Sequence, residues 1–308
     1  MIASITPLFP VAAAARRLRV SVVTETYPPE VNGVAMTIGR LVEGLLAREH
    51  TVQVISPRQH GRDHAYRDGR LEVLPLPGFP IPFYPQLRMG FPASRRLARH
   101  WRQTPPDVVH LVTEGPLGGS ALATARGLGL RVFSGFHTNF HTYSRHYGVG
   151  LLAKPIVAYL RRFHNRTDCT LVPTEELAAE LRALGFHGLR VLARGVDTRL
   201  FGPERRDPAL RRSWGVGPTD PVAMYVGRLA AEKNLQLVLE AYRAVRTVRP
   251  SARLVLVGDG PQAARLQAHH PEIVFPGARI GADLAAHYAS ADFFLFPSLT
   301  ETFGNVTL

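Results

Sequence analysis

Short apolar, β-branched runs alternate with longer stretches of helical periodicity along almost the whole of this chain, and no other feature of the sequence constrains its fold so tightly. That alternation is the sequence form of repeated βαβ units, whose strands lie buried on both faces of a parallel sheet; the fold class is therefore α/β. Apolar runs predict strands at 18–24, 51–56, 71–74, 108–112, 131–134, 170–172 and 190–192, and helical patterns fill 36–48, 94–101, 119–128, 151–164 and 174–184, the last opened by Thr174 as an N-cap. The rhythm stops over 195–218, a stretch rich in Gly, Pro and charge. It restarts with strands at 222–226, 254–257, 273–275 and 293–296, separated by helices at 234–248, 262–268 and 282–290. The pattern predicts two doubly wound domains in series, 18–195 and 219–308, with 196–218 as the connection between them. Residues 1–17 read as a leader outside the fold, and the proline cluster from Pro75 to Pro92 reads as a long surface loop.

Composition narrows the function classes. A chain of 308 residues with 45% hydrophobic and 20% charged residues is a soluble globular sequence of about two domains, not a disordered or collagenous one. No apolar run approaches the roughly 18 residues of a membrane span, so any membrane contact is expected to be peripheral. The one cysteine, Cys169, excludes an internal disulfide and a cysteine-built zinc site, which fits a cytoplasmic setting. The balance of 37 Lys and Arg against 24 Asp and Glu, net +13, points to anionic partners: phosphorylated small molecules, anionic lipid surfaces or nucleic acid.

In doubly wound folds ligands bind beyond the carboxyl ends of the strands, so the loops that follow strands carry the functional reading. Asn32-Gly33-Val34 ends a loop against a helix N-terminus, where backbone N–H groups and the helix dipole suit a phosphate; a plain turn is the alternative. The run Gly135-Phe136-His137-Thr138-Asn139-Phe140-His141-Thr142-Tyr143 offers donors and acceptors directly after a strand, with His137 nearest the strand end. Two structural histidines would explain it equally, and a metal reading of His137 and His141 lacks a completing carboxylate or cysteine. Gly227-Arg228-Leu229-Ala230-Ala231-Glu232-Lys233-Asn234 brings a forked cation and a compact one to the opening of a helix, a cradle for a diphosphate; scattered Arg and Lys on a solvated face are the alternative, and the place after a strand and before a helix favours the cradle. Pro297-Ser298-Leu299-Thr300-Glu301-Thr302-Phe303-Gly304 adds a carboxylate for sugar hydroxyls and backbone N–H groups. Gly258-Asp259-Gly260 lies on the same rim, where a tight turn is sufficient explanation.

Taken jointly and in order, these loops resemble the retaining glycosyltransferases of family 4, which have the GT-B architecture of two Rossmann-like domains facing a cleft. The resemblance spans 18–308 and rests on Glu-Thr-Tyr-Pro-Pro-Glu-Val-Asn-Gly-Val from Glu25, the Gly-Phe-His-Thr loop, Arg-Gly-Val-Asp-Thr-Arg-Leu-Phe from Arg194, Gly-Arg-Leu with Glu-Lys-Asn, and Pro-Ser-x3-Glu-Thr-Phe-Gly. It implies transfer of a hexosyl group from a nucleotide-diphosphate donor to a lipid or glycan acceptor with retained anomeric configuration and no metal. On the matching positions, Gly33 would approach the donor phosphate, and Arg228 and Lys233 would neutralise the diphosphate. His137 would lie beside the donor sugar, Glu301 would bind its hydroxyls, and Phe303 and Gly304 would lend backbone contacts. Asn32, Thr138, Gly258, Asp259 and Gly260 would complete the rim. The motif versions look most like GDP-mannose-dependent α-mannosyltransferases and related glycolipid-forming members, with a UDP-sugar as the second choice of donor. In the family the motif opened by Glu301 closes on a second Glu, expected at the donor ribose, in a slot one residue past Leu308. A chain ending there is expected to bind donor weakly and turn over little.

Arg16, Arg17, Arg19, Arg95, Arg96, Arg99, Arg102, Arg161 and Arg162 suit an acceptor in an anionic membrane, or simply a solvated basic face. A non-catalytic remnant or partner subunit is the main rival reading. Nucleic-acid binding is disfavoured, because no recognition helix, zinc finger or aromatic-plus-basic sheet motif is present.

Overall fold

The computed structural model describes residues 16–30, 32–58, 65–81, 84–137, 153–299, 301 and 303–308. Residues 1–15 of the expected leader, Thr138 and the rest of the loop to Tyr143 lie outside the described residues, whereas Arg16 and Arg17, expected in that leader, are instead tied to the first unit by ion pairs with Asp107 and Glu49. The chain divides into two compact units, the first within Met1–Thr138 and Lys154–Ala193, the second running from Arg194 to Leu308.

The sheet of the first unit contains β1 (Arg19–Val23), β2 (Thr51–Pro57), β3 (Tyr66–Asp68), β4 (Leu71–Leu76), β7 (Val108–Leu111), β8 (Arg131–Gly135), β9 (Cys169–Val172) and β10 (Leu189–Val191), in the order β10-β9-β8-β7-β1-β2-β4-β3. All neighbours are parallel except β3 against β4. Helix α1 (Gly33–Ala47) buries Ile38 and Val42 with Val20, Val22, Val52 and Val54 on one face. On the other face α2 (Ser94–Gln103) and α3 (Pro116–Gly127) bury Leu97, Trp101, Ala121 and Leu122 against Val23, Ile55, Val109 and Leu111. Sheet strands covered on both sides are mostly apolar, which is why they read as near-continuous apolar runs, broken here by buried polar residues such as Ser21, Gln53 and His110. Helices α4 (Ala153–His164) and α5 (Glu175–Ala183) complete the unit, and Thr174 caps α5 as expected, its hydroxyl accepting from the Leu177 N–H at 3.1 Å.

The stretch from Pro75 to Pro92 is not a surface loop. It ends β4 and then forms a separate antiparallel hairpin of β5 (Gly78–Ile81) and β6 (Tyr84–Gly90). Prolines are tolerated in a two-stranded ribbon because both strands are edges. Close pairing also needs Gly78, where a Cβ would stand 2.7 Å from the Met89 carbonyl oxygen.

The second unit holds a four-stranded parallel sheet, β13 (Val274–Gly277), β12 (Arg253–Val257), β11 (Val222–Val226) and β14 (Phe293–Phe294), in that order. Helices α7 (Leu235–Val248), α8 (Ala263–His269) and α9 (Gly281–Ser290) follow β11, β12 and β13. The segment expected to be a connection over 196–218 is instead built into this unit through α6 (Pro208–Ser213). Its Arg211 is buried, donating to the carbonyl oxygens of Ser290 at 2.7 Å and Asp220 at 2.6 Å and pairing with Asp292 at 3.1 Å. A guanidinium with that many partners can be buried without an orphaned charge, and a charge-rich stretch read one residue at a time hides the arrangement.

In each sheet the first strand has later strands on one side and the return strand on the other: β1 between β2 and β7, β11 between β12 and β14. These are the topological switch points, and the loops leaving them are where such sheets bind ligands.

Candidate functional site

At the switch point of the second unit, β11 ends at Val226 and the chain turns through Gly227 and Arg228 into a short 3-10 turn, Ala231–Lys233, before α7. Gly227 has φ 151, and a Cβ there would stand 2.7 Å from the Tyr225 hydroxyl oxygen. That hydroxyl donates to the Arg228 carbonyl at 3.0 Å, and burial, reinforced by Glu301 and Glu232, raises its pKa, so it remains a donor. The neighbouring loop after β12 is stapled on: Leu229 N–H donates to the Asp259 carbonyl at 2.9 Å and Gln262 N–H to the Leu229 carbonyl at 2.9 Å. A Cβ on Gly258 would stand 1.9 Å from the Gly227 carbonyl oxygen, and one on Gly260 2.5 Å from that of Leu229. Gly258, Asp259 and Gly260 thus shape the rim by letting two loops touch.

Lys233 and Glu301, 68 positions apart, form an ion pair here, with the Lys233 side chain 13% and the Glu301 side chain 28% exposed. Ser298 donates to the same Glu301 oxygen at 2.8 Å and lies 3.4 Å from the ammonium. Arg228, with its side chain 39% exposed, stands 3.7 Å from the buried carboxylate of Glu232. The Leu299 N–H donates to the Glu232 carbonyl at 3.1 Å, joining the loop after β14 to the 3-10 turn. Gly304 takes φ 77, a left-handed turn into a second 3-10 turn, Asn305–Thr307. Two cations, a carboxylate, a hydroxyl and a glycine-bearing turn therefore meet at one sheet end, a set able to hold a diphosphate and the hydroxyls of an attached sugar.

The switch point of the first unit is built from different material. The Glu25 carboxylate, at the end of β1, accepts from the backbone N–H groups of Gly90 and Leu117. It fits only because its neighbours are glycines: a Cβ on Gly115 would stand 2.4 Å from Oε1, and one on Gly90 3.1 Å from Oε2. Burial outweighs those donors and raises its pKa to about 7. After β7, Glu114 is buried and pairs with the buried His164 of α4, Oε1 to Nε2 3.1 Å. His164 Nδ1 lies 2.9 Å from the Ser134 hydroxyl, which also contacts the Thr167 hydroxyl at 3.1 Å and that of Thr170 at 3.0 Å. A Ser-His-Glu array in this order suggests a nucleophile, but Ser134 and His164 have no exposed surface, so no substrate reaches them. The network is a structural strut joining β7, β8 and α4.

Asn32 caps α1, its side-chain oxygen accepting from Val34 and Ala35 N–H at 3.1 and 2.9 Å while its amide donates to the Thr26 hydroxyl at 2.7 Å. The helix therefore begins at Gly33, three residues before the apolar pattern starts, and Asn32 is occupied by capping. His137 follows β8 and folds back on it, so that a Cβ on Gly135 would stand 2.2 Å from its Nε2.

The family model for Glycosyltransferase Family 4 matches residues 31–200, and that for Glycosyl transferases group 1 matches 220–308. The chain belongs to glycosyltransferase family 4. Among curated relatives, a GDP-mannose-dependent alpha-mannosyltransferase of Mycobacterium tuberculosis is 38% identical, the match covering 94% of this chain and 75% of that one. An alpha-monoglucosyldiacylglycerol synthase of Streptococcus pneumoniae is 28% identical over 93% of this chain and 67% of its own. Among solved structures, the sucrose-phosphate synthase of Thermosynechococcus elongatus superposes with a TM-score of 0.71 at 16% identity, over 94% of this chain and 78% of that one. That likeness shows the fold, GT-B.

Within this glycosyltransferase, the structure brings together Arg228, Lys233, Glu301, Phe303 and Gly304 with the rim of Gly258–Gly260, all in the second unit. Gly33, Asn32 and His137 belong to the first. Reading the sequence loop by loop missed Ser298, Glu232, Tyr225 and Arg194. Arg194, Glu232 and Ser298 stood inside the motifs that carry the resemblance, and that was their only signal. Among the described residues, no helix of the enzyme is long and apolar enough to cross a membrane.

Proposed function

We propose that this glycosyltransferase moves a mannosyl group from GDP-mannose to a lipid or glycan acceptor with retention of anomeric configuration. The observation that carries the reading is the Lys233–Glu301–Ser298 cluster beside Arg228 at the switch point of the second sheet. When the sugar–diphosphate bond breaks, negative charge grows on the diphosphate oxygens; Lys233 and Arg228, already in place, stabilise it without reorganisation. In this reading the two cations do the work for which other transferases use a divalent metal. Glu301 receives the sugar hydroxyls, Phe303 and Gly304 contribute backbone contacts, Gly33 approaches a phosphate through the N-terminus of α1, and His137 lies beside the sugar. Its pairing with Lys233 and Ser298 commits the Glu301 carboxylate to positioning and favours a same-face route over a covalent glycosyl-enzyme. The mannosyltransferase likeness supports the donor, and the glycolipid-synthase likeness supports a lipid acceptor.

Helix α2 supports peripheral contact with an anionic membrane from the cytoplasmic side. It exposes Arg95, Arg96, Arg99 and Arg102, contains no acidic residue, and buries Leu97 and Trp101. Arg16 and Arg17, by contrast, are taken up by Asp107 and Glu49. Sedimentation with phosphatidylglycerol vesicles should be strong at low salt and lost near 1 M; equal binding to neutral vesicles removes this part of the reading.

The decisive assay supplies radiolabelled GDP-mannose or UDP-glucose with a bacterial lipid extract. Label should pass into the organic phase from GDP-mannose at least tenfold faster, and the product should be the α-anomer. Preference for UDP-glucose would overturn the donor assignment, and a β-linked product would overturn retention.

A further inference from the structure

The motif Arg194-Gly195-Val196-Asp197-Thr198-Arg199-Leu200-Phe201 has no part in the chemistry above, yet it reaches the segment that follows Glu301 directly at its start and through Tyr288 at its end. At its start, Arg194 donates to the Asn305 side-chain oxygen at 2.8 Å, and its guanidinium lies over the Phe303 ring, 5.5 Å from the centroid. At its end, the Phe201 ring meets Tyr288 edge-on at 5.9 Å, and the Tyr288 hydroxyl donates to the Val306 carbonyl at 2.8 Å. Between them Asp197 ties the motif into a turn, its side chain accepting from Arg199 N–H at 3.0 Å and its carbonyl from Phe201 N–H at 2.9 Å. Gly304 lies within the gripped stretch in a left-handed conformation, with little intrinsic preference for one backbone shape.

We infer that Arg194 is a positioning residue for sugar recognition, setting Phe303–Asn305 and through them the neighbouring Glu301 in the geometry that reads the donor's sugar rather than its nucleotide. The inference rests on the assignment of Glu301 to the sugar made above. Burial lowers the guanidinium pKa while Glu301 raises it, so the two charges sense each other. Arginine is required because the position uses a planar cation stacked on a ring and an N–H aimed at an amide at the same time, which an ammonium cannot reproduce.

Titration calorimetry of the whole chain with GDP and with GDP-mannose separates this role from general stability. Arg194→Gln should weaken GDP-mannose about tenfold and leave GDP within twofold, because the diphosphate cations are untouched; Arg194→Lys should recover only part of the loss. Amide exchange of the ligand-free protein gives a second reading: Phe303–Val306 should exchange faster in Arg194→Gln, while Gly227–Leu229 should not change. Equal weakening of both ligands, or unaltered exchange at Phe303–Val306, would overturn the inference. A wild-type chain that binds GDP but not GDP-mannose would instead remove the assignment of Glu301 to the sugar, and exchange alone would then decide whether Arg194 holds the segment.

Discussion

The two units carry the same device, a parallel sheet whose first strand is flanked on both sides, and equip it in opposite ways. At the switch point of the second unit the charges are partly open to solvent, and the cations Arg228 and Lys233 stand beside glycines. At that of the first unit the charges are carboxylates, enclosed by glycines or by a histidine–hydroxyl network. Topology says where a Rossmann-like sheet can bind; the loops decide whether the place becomes a site or a strut.

If the first unit's charges are struts, breaking them should cost stability and little else. Glu114→Ala leaves the buried His164 Nε2 without its carboxylate partner and should lower the unfolding free energy by about 3 kcal/mol, measured by denaturant titration, while GDP affinity below the transition stays within twofold. A loss under about 1 kcal/mol would place this pair with the exposed ones.

Glu25 sharpens the contrast through pH. Its folded pKa, about 7, lies above the ordinary 4.5, so the folded state holds the proton longer and stability falls as pH rises from 4.5 through 7. His110 opposes it: burial lowers its pKa from 6.5 to about 4, so its contribution rises with pH over that window. Glu25→Gln keeps an acceptor for Gly90 N–H and removes only the falling component. The variant should match wild type at pH 4 and exceed it at pH 8 by about 3 kcal/mol, followed by unfolding at each pH. A constant offset across that range would mean Glu25 does not titrate on folding.

The smallest expected effect falls on the second unit. Lys233→Gln removes a largely buried cation and should weaken GDP by about 2 kcal/mol, roughly 30-fold, with a reduced salt dependence and little change in melting temperature. A drop in melting temperature without a drop in affinity would make Lys233–Glu301 another strut.

The sequence made one of these two regions legible and concealed the other. Strand and helix order was readable because two-sided burial forces apolar runs, and Arg228 and Lys233 were readable because cations beside a glycine after a strand have few purposes. Glu25 drew notice only as the first residue of its motif, and Glu114 drew none. Their burial depends on Gly90, Gly115 and His164, residues brought together only by a hairpin that the prolines disguised and by a helix from a distant part of the chain. Arg211 was concealed the same way, since a charge-rich stretch looks solvated until its partner at Asp292 is known, and Arg194, just before that stretch, until its partner at Asn305 is.

The central claim, that the second unit's switch point holds the donor's diphosphate while the buried carboxylates Glu25 and Glu114 of the first unit's are struts, is tested most directly by amide exchange with and without saturating GDP. The account predicts slowed exchange at Gly227–Lys233 and Leu299–Asn305, a smaller change at Val34–Ala35, and none at Thr24–Thr26 or Thr113–Leu117. Protection at Thr24–Thr26 and Thr113–Leu117, with Gly227–Lys233 unchanged, would contradict it.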